Sequence, residues 1–336
     1  NAAQRIEQER RMNLGGSFIG AGRDSLSLVG RNSPDIQKLV TRPALRNQVN
    51  VALSGGSDKV KFYWNTGFFN ESGIIINSGH KRVNTRLKLD LTPNEKFKTG
   101  TLINLSYEFT NSTTSGPVLG HLLNRVAYLP LFEPDGSFTP GSPRKFSLNP
   151  IQNAILRKND RKRYRANLYT YAQYKVLPSL SIRSTVGADF FYDKREGFVP
   201  SILDPRNFAD GNPTGSERHQ LTTRIQQDNT LNFSQQWGDH DLGVFAGMQI
   251  QKIVSDNLKI DSRFSNDLIE TFNNADPEFL LVDTAGGDAT QKESTGLFSL
   301  YAGFDYDYKN KYLLGATIRR DGSSKFGANN KYGIFP

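Results

Sequence analysis

Apolar and polar residues alternate along this chain in long, regular segments, which predicts β-strands with one oily and one wet face. Between positions 97 and 110 one face carries Phe97, Thr99, Thr101, Ile103, Leu105, Tyr107 and Phe109. The other carries Lys98, Gly100, Leu102, Asn104, Ser106, Glu108 and Thr110. Between 82 and 91, Val83, Thr85, Leu87, Leu89 and Leu91 oppose Arg82, Asn84, Arg86, Lys88 and Asp90. The same period of two runs through 60–68, 163–176, 180–190, 221–233, 242–250, 298–306 and 312–318, with Gln227 and Asn229 interrupting one apolar face. Many of these segments span about 10 to 15 residues, whereas strands of soluble proteins usually have about 5 or 6. A tilted strand needs about 9 to 11 residues to cross a bilayer.

The connections fall into two sets. Short ones at 54–58, 92–96, 177–179, 238–240 and 309–311 carry Gly, Pro, Asn, Asp and Ser, the residues that turns demand. Long ones occupy 72–80, 111–162, 194–218 and 256–292. Outer-membrane barrels have short periplasmic turns and longer extracellular loops. The expected fold is therefore an antiparallel transmembrane β-barrel wall of about ten strands between 49 and 320. Residues 1–48 form an extracellular loop region and 321–336 open the next loop. With its first strand descending and its last ascending, such a stretch needs further strands on both sides. Aromatics near the strand ends (Phe97, Tyr107, Phe109, Tyr174, Tyr192, Trp237, Tyr306, Tyr308, Tyr312) fit interfacial girdles.

Composition narrows the alternatives. Only 36% of the 336 residues are hydrophobic and the mean hydropathy is -0.54. The longest apolar runs are pieces such as Ile74-Ile75-Ile76, so a membrane helix of about 18 residues is excluded. Cysteine is absent, as suits a chain that crosses an oxidising compartment unfolded. The net charge of +9 is distributed along alternating strands and forms no nucleic-acid patch. A soluble β-sandwich or solenoid is the remaining structural rival, opposed by strand length and loop asymmetry.

Several segments also carry a resemblance. They are 50–59 (NVALSGGSDK), 70–75 (NESGII), 81–90 (KRVNTRLKLD), 309–314 (KNKYLL), 319–327 (RRDGSSKFG) and 331–336 (KYGIFP). In wording, order and spacing they resemble the SusC/RagA-like TonB-dependent transporters. The resemblance covers most of the chain and is least evident in 111–162 and 256–292. It implies a 22-stranded barrel with an N-terminal plug, and residues 1–48 as its first extracellular loop. It further implies a SusD-like surface lipoprotein as lid, energy from TonB acting on the plug, and import of glycans or peptides. A passive outer-membrane porin is the alternative from another class.

No chemistry of bond making is expected, and no cofactor. His80, His121, His219 and His240 are scattered, without zinc-ligand spacing. The glycines at 15, 16, 20 and 22 lack the phosphate-loop pattern, and no G-x-S-x-G elbow occurs. The substrate-facing candidates are polar residues near the outer strand ends: Arg82, Glu108, Arg163, Arg165, Asp189 and Arg319. The competing role for them is a salt-bridge ladder that stiffens the wall. Phe132, Phe138, Phe146 and Phe208 are loop aromatics that either stack on cargo or pack the loops together.

Overall fold

The computed structural model describes residues 35–112, 149–203, 212–268, 290–327 and 330–336, together with Arg11, 118–120, Leu122, 131–132, 134–138, Glu270 and 280–281. The strands are β1 (Arg46–Gly56), β2 (Val60–Ser72), β3 (Gly79–Leu91), β4 (Phe97–Asn111), β5 (Lys158–Leu177) and β6 (Leu180–Val199). They continue with β7 (Thr214–Trp237), β8 (His240–Arg263), β9 (Leu280–Leu281), β10 (Thr290–Tyr308), β11 (Tyr312–Ser323) and β12 (Tyr332–Phe335). All lie in one antiparallel sheet in chain order, except that β9 pairs with β8 beside the main path.

The register brings apolar residues together across every long pair. Phe62 faces Leu89 and Trp64 faces Leu87 between β2 and β3, and Leu87 faces Ile103 between β3 and β4. Ile103 in turn faces Leu168. A slip of one residue would throw each set to the opposite face, so the alternation itself fixes the register. Protein covers almost none of this apolar face. Leu87 is 41% exposed, Leu168 44%, Ile225 55% and Ile318 54%. A bare apolar surface of this extent is not tolerated in water. It is what hydrocarbon requires.

The hydroxyls of Thr85, Thr99 and Thr170 on the oily side are satisfied locally, as a lipid environment demands. The Thr85 hydroxyl donates to the Asn65 carbonyl and accepts from the Trp64 indole, both at 3.2 Å. Thr99 donates to the Tyr171 carbonyl at 2.6 Å, and Thr170 to the Gly100 carbonyl at 3.2 Å. Aromatic rows bound the apolar belt. Tyr107, Tyr164 and Tyr192 form one, with successive ring centroids 4.9 and 6.1 Å apart. At the short-turn end Trp237, His240, Tyr308 and Tyr312 form the other, spaced 6.0, 4.8 and 6.3 Å. From Tyr164 to Tyr174 along β5, at about 3.3 Å per residue and about 40° of tilt, the belt is roughly 25 Å deep. That is the height of an outer-membrane apolar band.

The true core is small and lies among the long loops. Val40, Ile75, Val118, Leu131, Ile151 and Ala154 are buried together. Two short helices feed it: α1 (Ile36–Val40), capped by the Asp35 side chain on the Lys38 amide, and α2 (Pro150–Leu156), capped by Asn149. Asn149 is fully buried and also donates to the Leu131 carbonyl at 2.7 Å. At the other end the hairpin between β10 and β11 turns through Lys309 and Asn310, both at positive φ. This is the primed geometry that matches strand twist.

The extents of the strands depart from expectation in one direction. β5 and β6 have 20 residues each, and β7 and β8 have 24. The ends of 194–218 and 256–292, expected as loop, are strand that continues beyond the outer aromatic row. The 72–80 connection shrinks to 73–78, because β3 starts at Gly79. At the edges, β1 begins at Arg46, β11 runs to Ser323, and β12 adds 332–335 where a loop onset is expected. Above the membrane both faces of a strand are wet, so alternation disappears while pairing persists.

Candidate functional site

The polar face of the sheet is the candidate site. Arg82, Glu108 and Arg163 are brought together in one register row, with Phe69 before them and Asp193 after them. Arg163 Nη1 donates to Glu108 Oε2 at 3.1 Å. The Arg82 guanidinium lies over the Phe69 ring, 5.5 Å from its centroid, and its Nε is buried with no hydrogen-bond partner. Arg165, one rung away, is exposed and stacks on Phe191 at 4.8 Å. Asp189 accepts from Asn167 Nδ2 and from the Tyr169 hydroxyl, both at 2.7 Å. Arg319 stands far along the sheet on β11. It donates to Asp321 at 2.7 Å, Gln249 at 2.8 Å and Ser299 at 3.0 Å. Glu108, Arg163, Asp189 and Arg319 are thus engaged in wall-stiffening bonds, whereas Arg165 is exposed and Arg82 keeps an unpaired, buried Nε.

The loop candidates divide. Phe132 and Phe138 pack on one another at 5.4 Å, and Phe138 lies against the loop core. Phe146, Phe208, His121 and the glycines at 15, 16, 20 and 22 lie outside the described residues. His80 bonds Thr110 at 2.8 Å, His219 lies between Tyr192 and Glu217, and His240 bonds the Tyr306 hydroxyl at 2.6 Å. Each is held by strand neighbours.

Alternation alone missed the aromatics of the wet face. Tyr169, Tyr171 and Tyr301 each sit directly opposite a glycine, respectively Gly187, Gly100 and Gly247. Each ring lies across its glycine and donates its hydroxyl to an aspartate: Asp189, Asp90 and Asp228. A Cβ at Gly187 would meet Tyr169 Cε1 at 2.6 Å, so only glycine admits the flat ring. A period-two reading scores such aromatics as noise on a polar face. The signal that finds them is a glycine in register with an aromatic. Gly187→Ala is expected to lower stability by about 1–3 kcal/mol, read as a lower urea midpoint in micelles. In a Tyr169→Ala background the same change should be almost silent; an undiminished loss there would refute the glycine–ring account.

Beyond the outer aromatic row, ion pairs hold β5 to β6 and β6 to β7. Arg161 grips Asp193 through Nε at 2.8 Å and Nη2 at 2.5 Å. Lys162 and Lys194 each reach Glu196 at 3.0 Å, and Lys194 reaches Glu217 at 2.7 Å. Burial pushes the Asp193 carboxyl up, but the Arg161 hydrogen bond and the charges of Arg161, Arg195 and Arg163 outweigh it and hold the pKa low. Glu196 is likewise pushed up by burial and brought below its usual value by Lys194 and Lys162. Depressed carboxylates add stability that is complete above their unfolded pKa of about 4 and is lost as pH falls through the lower folded value. Asp160 opposes this, since burial raises its pKa and acidification favours its folded form. Protease resistance of this extension should therefore hold from about pH 8 to about pH 5 and fall only below about pH 4. Loss already near about pH 6 would assign the transition to histidine instead.

Comparison with known proteins places the chain. Over 319 residues it is 36% identical to a TonB-dependent receptor of Formosa agariphila, covering 94% of this chain and 30% of that protein. It is 21% identical over 348 residues to the TonB-dependent receptor SusC of Bacteroides thetaiotaomicron, covering 92% and 32%. The solved RagAB peptide transporter shares the fold, with a TM-score of 0.73 at 20% identity over 89% of this chain and 34% of that one. No family model matches the sequence. The chain spans about a third of the length of the curated relatives it matches.

Proposed function

The chain belongs with the SusC/RagA-like TonB-dependent transporters, integral β-barrels of the bacterial outer membrane, and from that premise we propose that it lines the path of an energy-driven importer. One observation carries the reading: a single sheet has a bare apolar belt on one face and a hydrogen-bonded polar wall on the other. In a bilayer the free edges of such a sheet must be met by further strands, and the resemblance implies 22 in the whole barrel. The polar face then lines the lumen, the short turns face the periplasm, and the stretches before β1 and after β11 lie outside the cell.

In this reading the cargo is an oligosaccharide or oligopeptide, delivered under a SusD-like surface lipoprotein and moved by TonB. Arg82 and Arg165 face the cargo. Glu108, Arg163, Asp189 and Arg319 shape the same wall through their bonds. Nothing here makes or breaks a covalent bond. The test is uptake of such cargo by cells carrying the full-length receptor, with TonB active or disabled. Uptake should cease without TonB. Uptake that continues unchanged would leave a passive porin in its place.

A further inference from the structure

Four cations stand directly opposite one another on four neighbouring strands: Arg161 against Arg195, Arg195 against Arg218, and Arg218 against Lys259. Like charges in direct cross-strand register repel, so a row of four needs compensation. Some comes from within. Asp193 is taken by Arg161 and approached by Arg195 at 3.5 Å, and Asp261 is held by Lys259 at 2.7 Å. Arg218 is exposed and makes no ion pair among the described residues. Among the described residues from β3 to β8, this row and the rung on either side of it set Arg82, Arg161, Arg163, Arg195, Arg218 and Lys259 beside the carboxylates of Glu108, Asp193 and Asp261.

The opposite face of the same strands is built differently. There Lys162, Lys194 and His219 form one row and Asp160, Glu196 and Glu217 the next. Ion pairs cross between the rows, with Lys162 and Lys194 on Glu196 and Lys194 on Glu217. That face neutralises itself and offers nothing to the phosphates of surrounding lipid. The surplus of positive charge is confined to the wall that continues the polar face.

The row borders a cleft of ≈ 240 Å³ lined by Arg195, Arg218 and Lys259, by Gln220, Asn257 and Gln291, by His219 and Leu258, and by Asp193, whose carboxylate is already taken by Arg161. The three amide side chains are themselves in register, one rung below the cations. Guanidinium forks at strand spacing, about 4.8 Å apart, suit the oxygens of carboxylate or sulfate. The amides beneath suit hydroxyls. The backbones of β6 and β7 are paired on both sides here, and β8 is paired with β10 up to Leu258, so an extended peptide finds no edge to join along Arg195 and Arg218.

We propose that this cleft is an anion-recognition site at the outer rim, which receives the carboxylate or sulfate groups of an acidic oligosaccharide. The proposal rests on the importer reading and names its substrate class. It is tested with purified full-length receptor by calorimetric titration of hexagalacturonate, neutral maltohexaose and hexaglutamate. Hexagalacturonate should bind, weakening with salt, and maltohexaose should not. Arg218→Gln should lower the affinity about tenfold or more, the loss of one charge-assisted bond, with the melting temperature unchanged. Wild-type affinity in Arg218→Gln, or equal binding of maltohexaose, would overturn the site. Preference for hexaglutamate would overturn the saccharide assignment. A drop in melting temperature without change in affinity would make the row a structural partner of the rest of the barrel and refute the proposal. Because binding is read without transport, loss of the importer reading through TonB-independent uptake is a separate result.

Discussion

Arginine at Leu87 is expected to lower barrel stability by about 2–4 kcal/mol, the range for a cation near the bilayer midplane. Leu87 lies between Trp64 and Ile103 on the bare face, midway between the aromatic rows. Its neighbours are apolar, so a guanidinium there has no carboxylate in reach and a long way to either interface. Leu105→Arg should cost less, because Leu105 sits only two residues below Tyr107 and a long side chain there can snorkel outward. Asn84→Arg, on the wet face opposite Ser106 and Gly67, should be tolerated. The measurement is the urea midpoint of the full-length receptor refolded into lipid vesicles. Equal losses at Leu87 and Asn84 would mean that the oily side does not meet lipid.

Which face is oily was legible wherever a strand lies within the bilayer, because lipid and water impose opposite demands on alternate residues. The strands through 97–110 and 82–91 needed nothing more. The same logic fails above the outer aromatic row, where Lys158, Asp160, Lys162, Lys194, Glu196 and Glu217 on one face and Arg161, Arg195 and Arg218 on the other read as polar loop. Pairing there is held by backbone bonds and cross-strand charges, which leave no periodic hydropathy. The site residues show the same limit. Sequence placed Arg82, Glu108 and Arg163 on one face, but only register showed that they share a row. Their division into engaged and available groups depends on partners such as Gln249, Ser299 and Phe191, which lie on other strands.

Asp193→Ala is expected to lower the stability of the outer extension by about 3 kcal/mol, the loss found when one member of a buried ion pair is removed. The Asp193 side chain is only 3% exposed. It takes both Arg161 nitrogens, stands across from Arg163 and lies near Arg195. Its removal leaves three guanidinium groups facing one another with Glu108 as the nearest remaining carboxylate. The Arg161→Leu/Asp193→Leu pair should be less damaging than Asp193→Ala alone, since it removes a cation along with the anion. Limited proteolysis of the segment between β6 and β7 reads the effect without reference to transport. If the cleft at Arg195 and Arg218 takes anions, added sulfate should restore part of the protection lost in Asp193→Ala, by binding the folded form alone. Wild-type protection in Asp193→Ala would show that this carboxylate does not hold the row together.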